Sequence, residues 1–166
     1  MKIIAIVAAD RNWAIGKSNG LLYSLHKDMR HFKKITTGHF VVCGYNTLLS
    51  FPGQQPLKNR LTICLAPDGV ERNDCIIVHS LDRLLSTMKE IGPEADFYVI
   101  GGGMLYNSML PYYDGAIVTK VDATDPDATV FFPDLDKDGR FGAIDETPSQ
   151  IDGDYSIKFV VYRRLH

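Results

Sequence analysis

Asp28 is the residue in this chain best placed to do chemistry. Around it Leu25, Met29, Phe32 and Ile35 recur at spacings of four and three, the period of a helix face turned toward a core. Asp28 falls on that face, three residues after Leu25 and four before Phe32, so its carboxylate points where the apolar side chains point. An acid so placed needs a partner: it either bonds a buried donor and holds the fold together, or it offers its charge to a ligand. The loop in front favours the ligand. Gly16 and Gly20 leave that loop mobile or tightly turned, and Leu21, Leu22 and Tyr23 set large side chains just ahead of the helix. An apolar lid beside a buried acid suggests an active site.

A second candidate is the run from Phe97 to Ile100, which reads as a buried strand delivering Gly101-Gly102-Gly103 to a helix from Met104 to Leu110. Glycines let a phosphate approach the backbone, and the helix start offers unpaired N–H groups. A tight turn would use the same residues. Gly44 followed by Tyr45-Asn46-Thr47 repeats the arrangement at another strand end, and two such sites suit the diphosphate of a dinucleotide. The stretch D-L-D-K-D-G from Asp134 to Gly139, with Asp145 at its twelfth position, has EF-hand spacing. Pro133 ahead of it, Phe141 within it and Asp145 as its last ligand speak for a solvated acidic loop instead. The five histidines form no H-x-x-x-H pair and no G-x-S-x-G nucleophile motif occurs, so no metal is expected.

These candidates must be held by an ordinary globular scaffold. The 166 residues suit one domain, 1–166, and the 45% hydrophobic content supplies a core. A net charge of −2, with basic clusters only at Lys33-Lys34 and Arg163-Arg164, gives no footprint for nucleic acid or a membrane surface. The apolar N-terminal run ends at Asp10 and Arg11 and reads as a buried strand rather than a leader. Cys43, Cys64 and Cys75 lie in apolar runs without Cys-x-x-Cys spacing, as expected of free thiols in a reducing cytoplasm.

Strands are expected at 3–9, 39–43, 61–65, 75–78, 97–100, 116–121 and 155–162. Between them fall the Asp28 helix, a short helix after Gly44, and an amphipathic helix through Leu81, Leu84, Leu85 and Met88 with Ser80 as its N-cap. Residues 122–153 read as acidic loop. The fold class is therefore α/β: a mostly parallel mixed sheet, helices on both faces, and an antiparallel C-terminal strand.

Taken together, A-I-G-K-S-N-G-L-L-Y, with Asp28, Phe32 and Thr36 after it, resembles the signature of the dihydrofolate reductase family. P-L-K-N-R at 56–60, V-I-G-G-G-M-L-Y at 99–106, V-T-K-V-D-A at 118–123 and F-F-P-D at 131–134 extend the resemblance over the whole chain. Leu22-Tyr23 stands where the family has Pro-Trp. The resemblance implies hydride transfer from NADPH to dihydrofolate. It makes Asp28, Tyr23 and Thr119 the catalytic residues: Asp28 the acid that binds the pterin edge, Thr119 its hydroxyl partner, and Tyr23 the lid aromatic beside them. Ile6 and Ile100 would offer backbone carbonyls to the pterin, Met29, Phe32 and Leu57 would wall the aminobenzoyl group, and Arg60 would pair with the glutamate carboxylate. Tyr106 would touch both ligands. Ala8, Ile15 and Gly16 would line the nicotinamide. The rest of the cofactor would meet Gly44, Tyr45, Asn46, Thr47, Leu65, Ala66, His79, Gly101, Gly102, Gly103, Met104 and Leu105.

The resemblance also carries an expectation about cofactor choice. Family members meet the 2′-phosphate of NADPH with cations or hydroxyls, at positions held here by Tyr45 and Asn46, Ala66 and Pro67, and Met104. None of these is cationic and Asp68 is adjacent, while Arg72 and His79 sit in neighbouring loops. NADH is therefore expected to serve unusually well. A monomer in the cytoplasm is expected, with dihydrofolate and a nicotinamide dinucleotide as partners. Two alternatives share parts of the pattern. A pyrimidine reductase of riboflavin synthesis would not need Asp28, Thr119 and Arg60 together, and a non-catalytic nucleotide-binding module has no use for an acid on a buried helix face.

Overall fold

A computed structural model of the chain describes residues 1–17 and 20–166. Ser18 and Asn19 of the signature, and the side chain of the expected lid residue Leu21, lie outside what is described.

Among the described residues the main sheet has nine strands. Four come from the first half: β1 (Lys2–Ala9), β4 (Phe40–Gly44), β5 (Leu61–Leu65) and β6 (Ile76–Val78). The others are β7 (Asp96–Val99), β8 (Gly115–Val121), β10 (Phe141–Glu146), β11 (Gln150–Asp152) and β12 (Tyr155–Arg164). Across the sheet the order is β10-β12-β8-β1-β7-β4-β5-β6, with β11 also on β12. β1 pairs in parallel with β7 and β8, and β4 with β5 and β7. β12 is antiparallel to β8, β10 and β11. The chain leaves β1 for β4, winds outward to β6, and returns with β7 between them, which opens a crevice beyond the carboxyl ends of β1, β7 and β4. Ligands bind at such switch points in α/β sheets.

Alternation along β1 sends its side chains to two cores. Ile3, Ala5 and Val7 join Leu84 and Met88 of α3 (Leu81–Ile91) and Leu105 of α4 (Gly103–Ser108). Ile4 and Ile6 join Val41 and Tyr98 against Phe32 and Ile35 of α1 (His26–Thr36). On the side of α1, Leu48 of α2 (Tyr45–Ser50) packs with Cys43 and Cys64. Full burial of side chains such as Leu84 and Met88 is worth about 1.5–3 kcal/mol each. Helices therefore cover both faces, as the fold class requires. Ser80 caps α3 as expected, accepting from the Arg83 N–H at 3.1 Å, and the three cysteines are free thiols.

Three departures from the sequence expectations matter for the site. Met29 is 65% exposed rather than turned into the core. The loop before α1 is partly a sheet, with β2 (Ala14–Lys17) between β3 (Gly20–Leu21) and β9 (Val130–Phe131). The 122–153 stretch contains β9, β10 and β11 rather than loop alone. Its carboxylates are held by protein partners: Asp136 by Lys120 and Tyr162, and Asp138 by Arg140.

Candidate active site

Asp28 lies in the first turn of α1, and Thr119 lies in β8, three strands away from the α1 core contacts on β4. Their side chains meet: Thr119 Oγ1 donates to Asp28 Oδ1 at 2.5 Å, and Thr119 is 2% exposed. Burial pushes the Asp28 carboxyl above its ordinary value, the Thr119 hydroxyl pulls it down, and the nearby charge of Asp152 pushes it up again. The acid expected from helix periodicity is thus poised beside the crevice and joined to the hydroxyl expected with it.

What holds this turn of helix comes from far along the chain. Leu25 occupies the N-cap and has no side-chain acceptor to offer. Asp152 of β11 supplies one, accepting from the N–H groups of His26, Lys27 and Asp28 at 3.1, 2.8 and 3.2 Å. Asp152 is 4% exposed, and it is a site residue that sequence reading missed. The one local signal was negative: a helix N-terminus whose N-cap position holds leucine must find its acceptor elsewhere.

Tyr23 is placed differently from its expectation. Its hydroxyl donates to Asp10 Oδ2 at 3.0 Å, and its ring meets Tyr155 edge-on with centroids 4.9 Å apart. Asp10 also accepts from the N–H groups of Asn12 and Ala14. Tyr23 therefore ties the segment before α1 to the end of β1, and its hydroxyl is turned to Asp10 rather than to Asp28. We expect Tyr23→Phe to lose about 1 kcal/mol of stability, a fall of about 2–4 °C in Tm for a chain of this size. Turnover should change by less than about threefold, ~0.7 kcal/mol. Thermal melts and steady-state kinetics on the same preparation check both, and a large loss of turnover with unchanged Tm would return Tyr23 to the chemistry.

The other expected substrate contacts come from α1, the turn before β5, and α4. Phe32 packs partly buried on Ile6 and Val41. Arg60 lies with its guanidinium carbon 6.0 Å from the Phe32 ring centroid. Its Nε donates to the Lys58 carbonyl at 2.8 Å and its Nη1 to Thr36 Oγ1 at 3.3 Å. Thr36, fully buried, is in turn fixed by its own hydrogen bond to the Phe32 carbonyl. Leu57 is half-buried in the turn leading to Arg60. Tyr106 is buried, and its hydroxyl donates to the Ile6 carbonyl at 2.7 Å; it enters the site through that carbonyl.

The cofactor candidates divide between a cradle and a core. At the cradle the Gly44 N–H donates to the Gly101 carbonyl at 2.8 Å, joining the ends of β4 and β7. Gly101 has φ +122°, a conformation open in practice only to glycine. A Cβ at Gly102 would stand 3.2 Å from Thr47 Oγ1, and one at Gly103 would stand 2.5 Å from Val130 Cγ1. Neither α2 nor α4 has a side-chain cap, so first-turn N–H groups of both border this cradle. The residues fit a diphosphate. Ala8, Leu65 and Ile100 are half-buried at the carboxyl ends of β1, β5 and β7. Ile15 and Leu105, by contrast, are core residues, 8% and 4% exposed; any part they have in binding falls to their backbone. Ala66 is buried and its carbonyl takes the Nδ1–H of His79 at 3.1 Å. Asn46 is exposed, and Met104 is 88% exposed at the start of α4.

An α/β sheet with glycines at its switch point, and a half-buried acid on the neighbouring helix, fits a dinucleotide-binding class of protein. The dihydrofolate reductase family model matches residues 2–164. A dihydrofolate reductase from Bacillus subtilis is 32% identical over 160 residues, covering 96% of this chain and 92% of that protein. One from Staphylococcus haemolyticus is 28% identical, covering 99% and 97%. The solved structure of a dihydrofolate reductase from Enterococcus faecalis, complexed with NADP(H) and RAB-propyl, superposes with a TM-score of 0.87 at 26% identity, covering 99% of this chain and 97% of that one. The chain belongs to the dihydrofolate reductase family. It is an oxidoreductase that reduces dihydrofolate to tetrahydrofolate with a nicotinamide dinucleotide; a pyrimidine reductase or a non-catalytic nucleotide module is not favoured. No helix among the described residues is long and apolar enough to cross a membrane.

Proposed function

We propose that Asp28 is the catalytic acid of this reductase and that Thr119 completes its site. The observation that carries this is the hydrogen bond between the two side chains, made between the buried Thr119 and the half-buried Asp28. A carboxylate matches the paired N–H donors of a pterin edge with two charge-assisted hydrogen bonds. Asp28 so anchors the ring and, with its raised proton affinity, favours protonation of the imine nitrogen, the proton passing through water. Arg60 receives the glutamate carboxylate, while Phe32, Leu57 and the exposed Met29 wall the aminobenzoyl group. The reduced nicotinamide, when bound, supplies the hydride. Gly44, Thr47 and Gly101 to Gly103 would hold its diphosphate. The reading includes a monomer in the cytoplasm; the three free thiols fit a reducing compartment. Oxidation of NADPH in the presence of dihydrofolate, followed by absorbance, tests the activity; its loss in Asp28→Asn tests the assignment.

The cofactor preference is the second part of the proposal. Arg72 lies close enough to Tyr45 to interact with it electrostatically, yet its guanidinium is taken by Asp74 through bonds of 2.9 and 2.7 Å and by the Gln54 carbonyl at 2.7 Å. His79 is turned to Ala66. With Tyr45, Asn46, Ala66, Pro67 and Met104 uncharged, the 2′-phosphate gains little over a hydroxyl. We expect a preference for NADPH over NADH in kcat/KM below about a hundredfold, ~2.7 kcal/mol, and expect Asp74→Asn to raise it by releasing Arg72. Steady-state kinetics with both cofactors at one ionic strength measure this. A larger preference in the wild type would point to cationic contacts beyond these.

A further inference from the structure

Asp152 does more than its place outside the substrate pocket suggests. It is a carboxylate 4% exposed, brought by the β11–β12 hairpin against the first turn of α1. Its Oδ2 is 3.2 Å from the backbone nitrogen of Asp28 itself. Among the described residues no cation is bonded to either acid. The one nearby ammonium, Lys27 Nζ, is directed to the Ile151 carbonyl at 2.6 Å.

We propose that Asp152 is a positioning residue of the reaction: its carboxylate fixes the turn that carries Asp28 and confronts Asp28 with a like charge. The inference rests on Asp28 being the catalytic acid. Thr119 of β8 donates to Asp28 and favours the charged form. Tyr106 of α4 lies within electrostatic range, but its hydroxyl is engaged by Ile6. On α1, Lys27 is turned to Ile151, and His31, one turn on, is stacked on Phe159 of β12 at 3.8 Å, with burial and Lys34 lowering its tendency to charge. Asp152 is therefore the facing group that opposes Thr119, and the Coulombic contribution it makes at Asp28 is upward. A neutral side chain at 152 that still accepts from the helix N–H groups would keep the cap and remove the opposition.

The experiment is the pH dependence of kcat/KM for dihydrofolate in wild type, Asp152→Asn, Asp152→Ser and Asp152→Glu, with Asp28→Asn as reference. The alkaline limb reports loss of the proton linked to Asp28. In the neutral variants this limb should move to lower pH by at least about 0.5 unit, while Asp152→Glu, which keeps the charge, should retain the wild-type limb. Neutral variants that lose turnover equally at every pH would show a structural cap alone and overturn the proposal. Failure of both neutral variants to fold would overturn it too, because the carboxylate would then serve folding. If Asp28→Asn keeps the wild-type alkaline limb, the assignment of Asp28 fails instead, an outcome separate from the other two.

Discussion

Replacing Asp28 with asparagine should leave the protein folded and lower kcat/KM for dihydrofolate by at least about a hundredfold, ~2.7 kcal/mol. Asparagine is nearly isosteric and its oxygen can still accept from Thr119. It presents an N–H group, however, where the pterin edge presents its own donors. A hydrogen bond to a charged group contributes about 1.5–3 kcal/mol, so ground-state binding accounts for much of the loss and the proton-linked step for the rest. Stability should respond in the opposite direction. Burial raises the Asp28 carboxyl above its unfolded value, so the folded state binds this proton more tightly. As pH climbs past about 3.9, the unfolded value, the unfolded chain ionises first and stability falls until the folded group ionises as well. Asparagine escapes that loss. The variant should melt above wild type at pH 7, and the difference should close below about pH 4. Melting curves at the two pH values check this, and full turnover at neutral pH would remove Asp28 from the mechanism.

Arg60→Lys should raise the KM for dihydrofolate at least about tenfold, ~1.4 kcal/mol, while a pterin lacking the glutamate tail is affected less than about twofold. The guanidinium is pre-set by the Lys58 carbonyl, Thr36 Oγ1 and the Phe32 ring, and a planar fork held in this way meets a carboxylate with two parallel bonds. Lysine keeps the charge but has neither the fork nor the geometry to use both anchors. Comparing the two substrates separates loss of the tail contact from damage to the pocket; equal losses would move Arg60 out of the substrate site.

The sequence made the repetitive elements legible. The apolar runs became β1, β4, β5, β7 and β8, and the periodic face through Leu84 and Met88 became α3 with Ser80 at its cap. Asp28 was visible because a carboxylate breaks an apolar face at a defined position. Its partnership with Thr119 was not visible in spacing, since 91 residues separate them; only the family resemblance paired them. What escaped was non-local or too short to have a period. β3 and β9 are two residues each, and β11, with Asp152 at its end, spans three. Met29 followed the helix period but is largely exposed, because spacing alone does not say how wide the buried stripe of a helix is. Tyr23 was an aromatic at the right position whose hydroxyl found Asp10, a competing buried acceptor that no local pattern announced.

The placement of β12 has a kinetic consequence. β12 lies between β8 and β10 and carries β11, so the acceptor for the first turn of α1 arrives from about 125 residues downstream on a strand that must itself dock antiparallel to β8. On a chain emerging from the ribosome, α1 is complete long before either Thr119 or Asp152 exists. Such distant pairings carry the entropy of closing a long loop before any contact rewards it. The helix bearing Asp28 must wait with its first N–H groups on water, and its first turn is completed only as the antiparallel edge of the sheet zips shut.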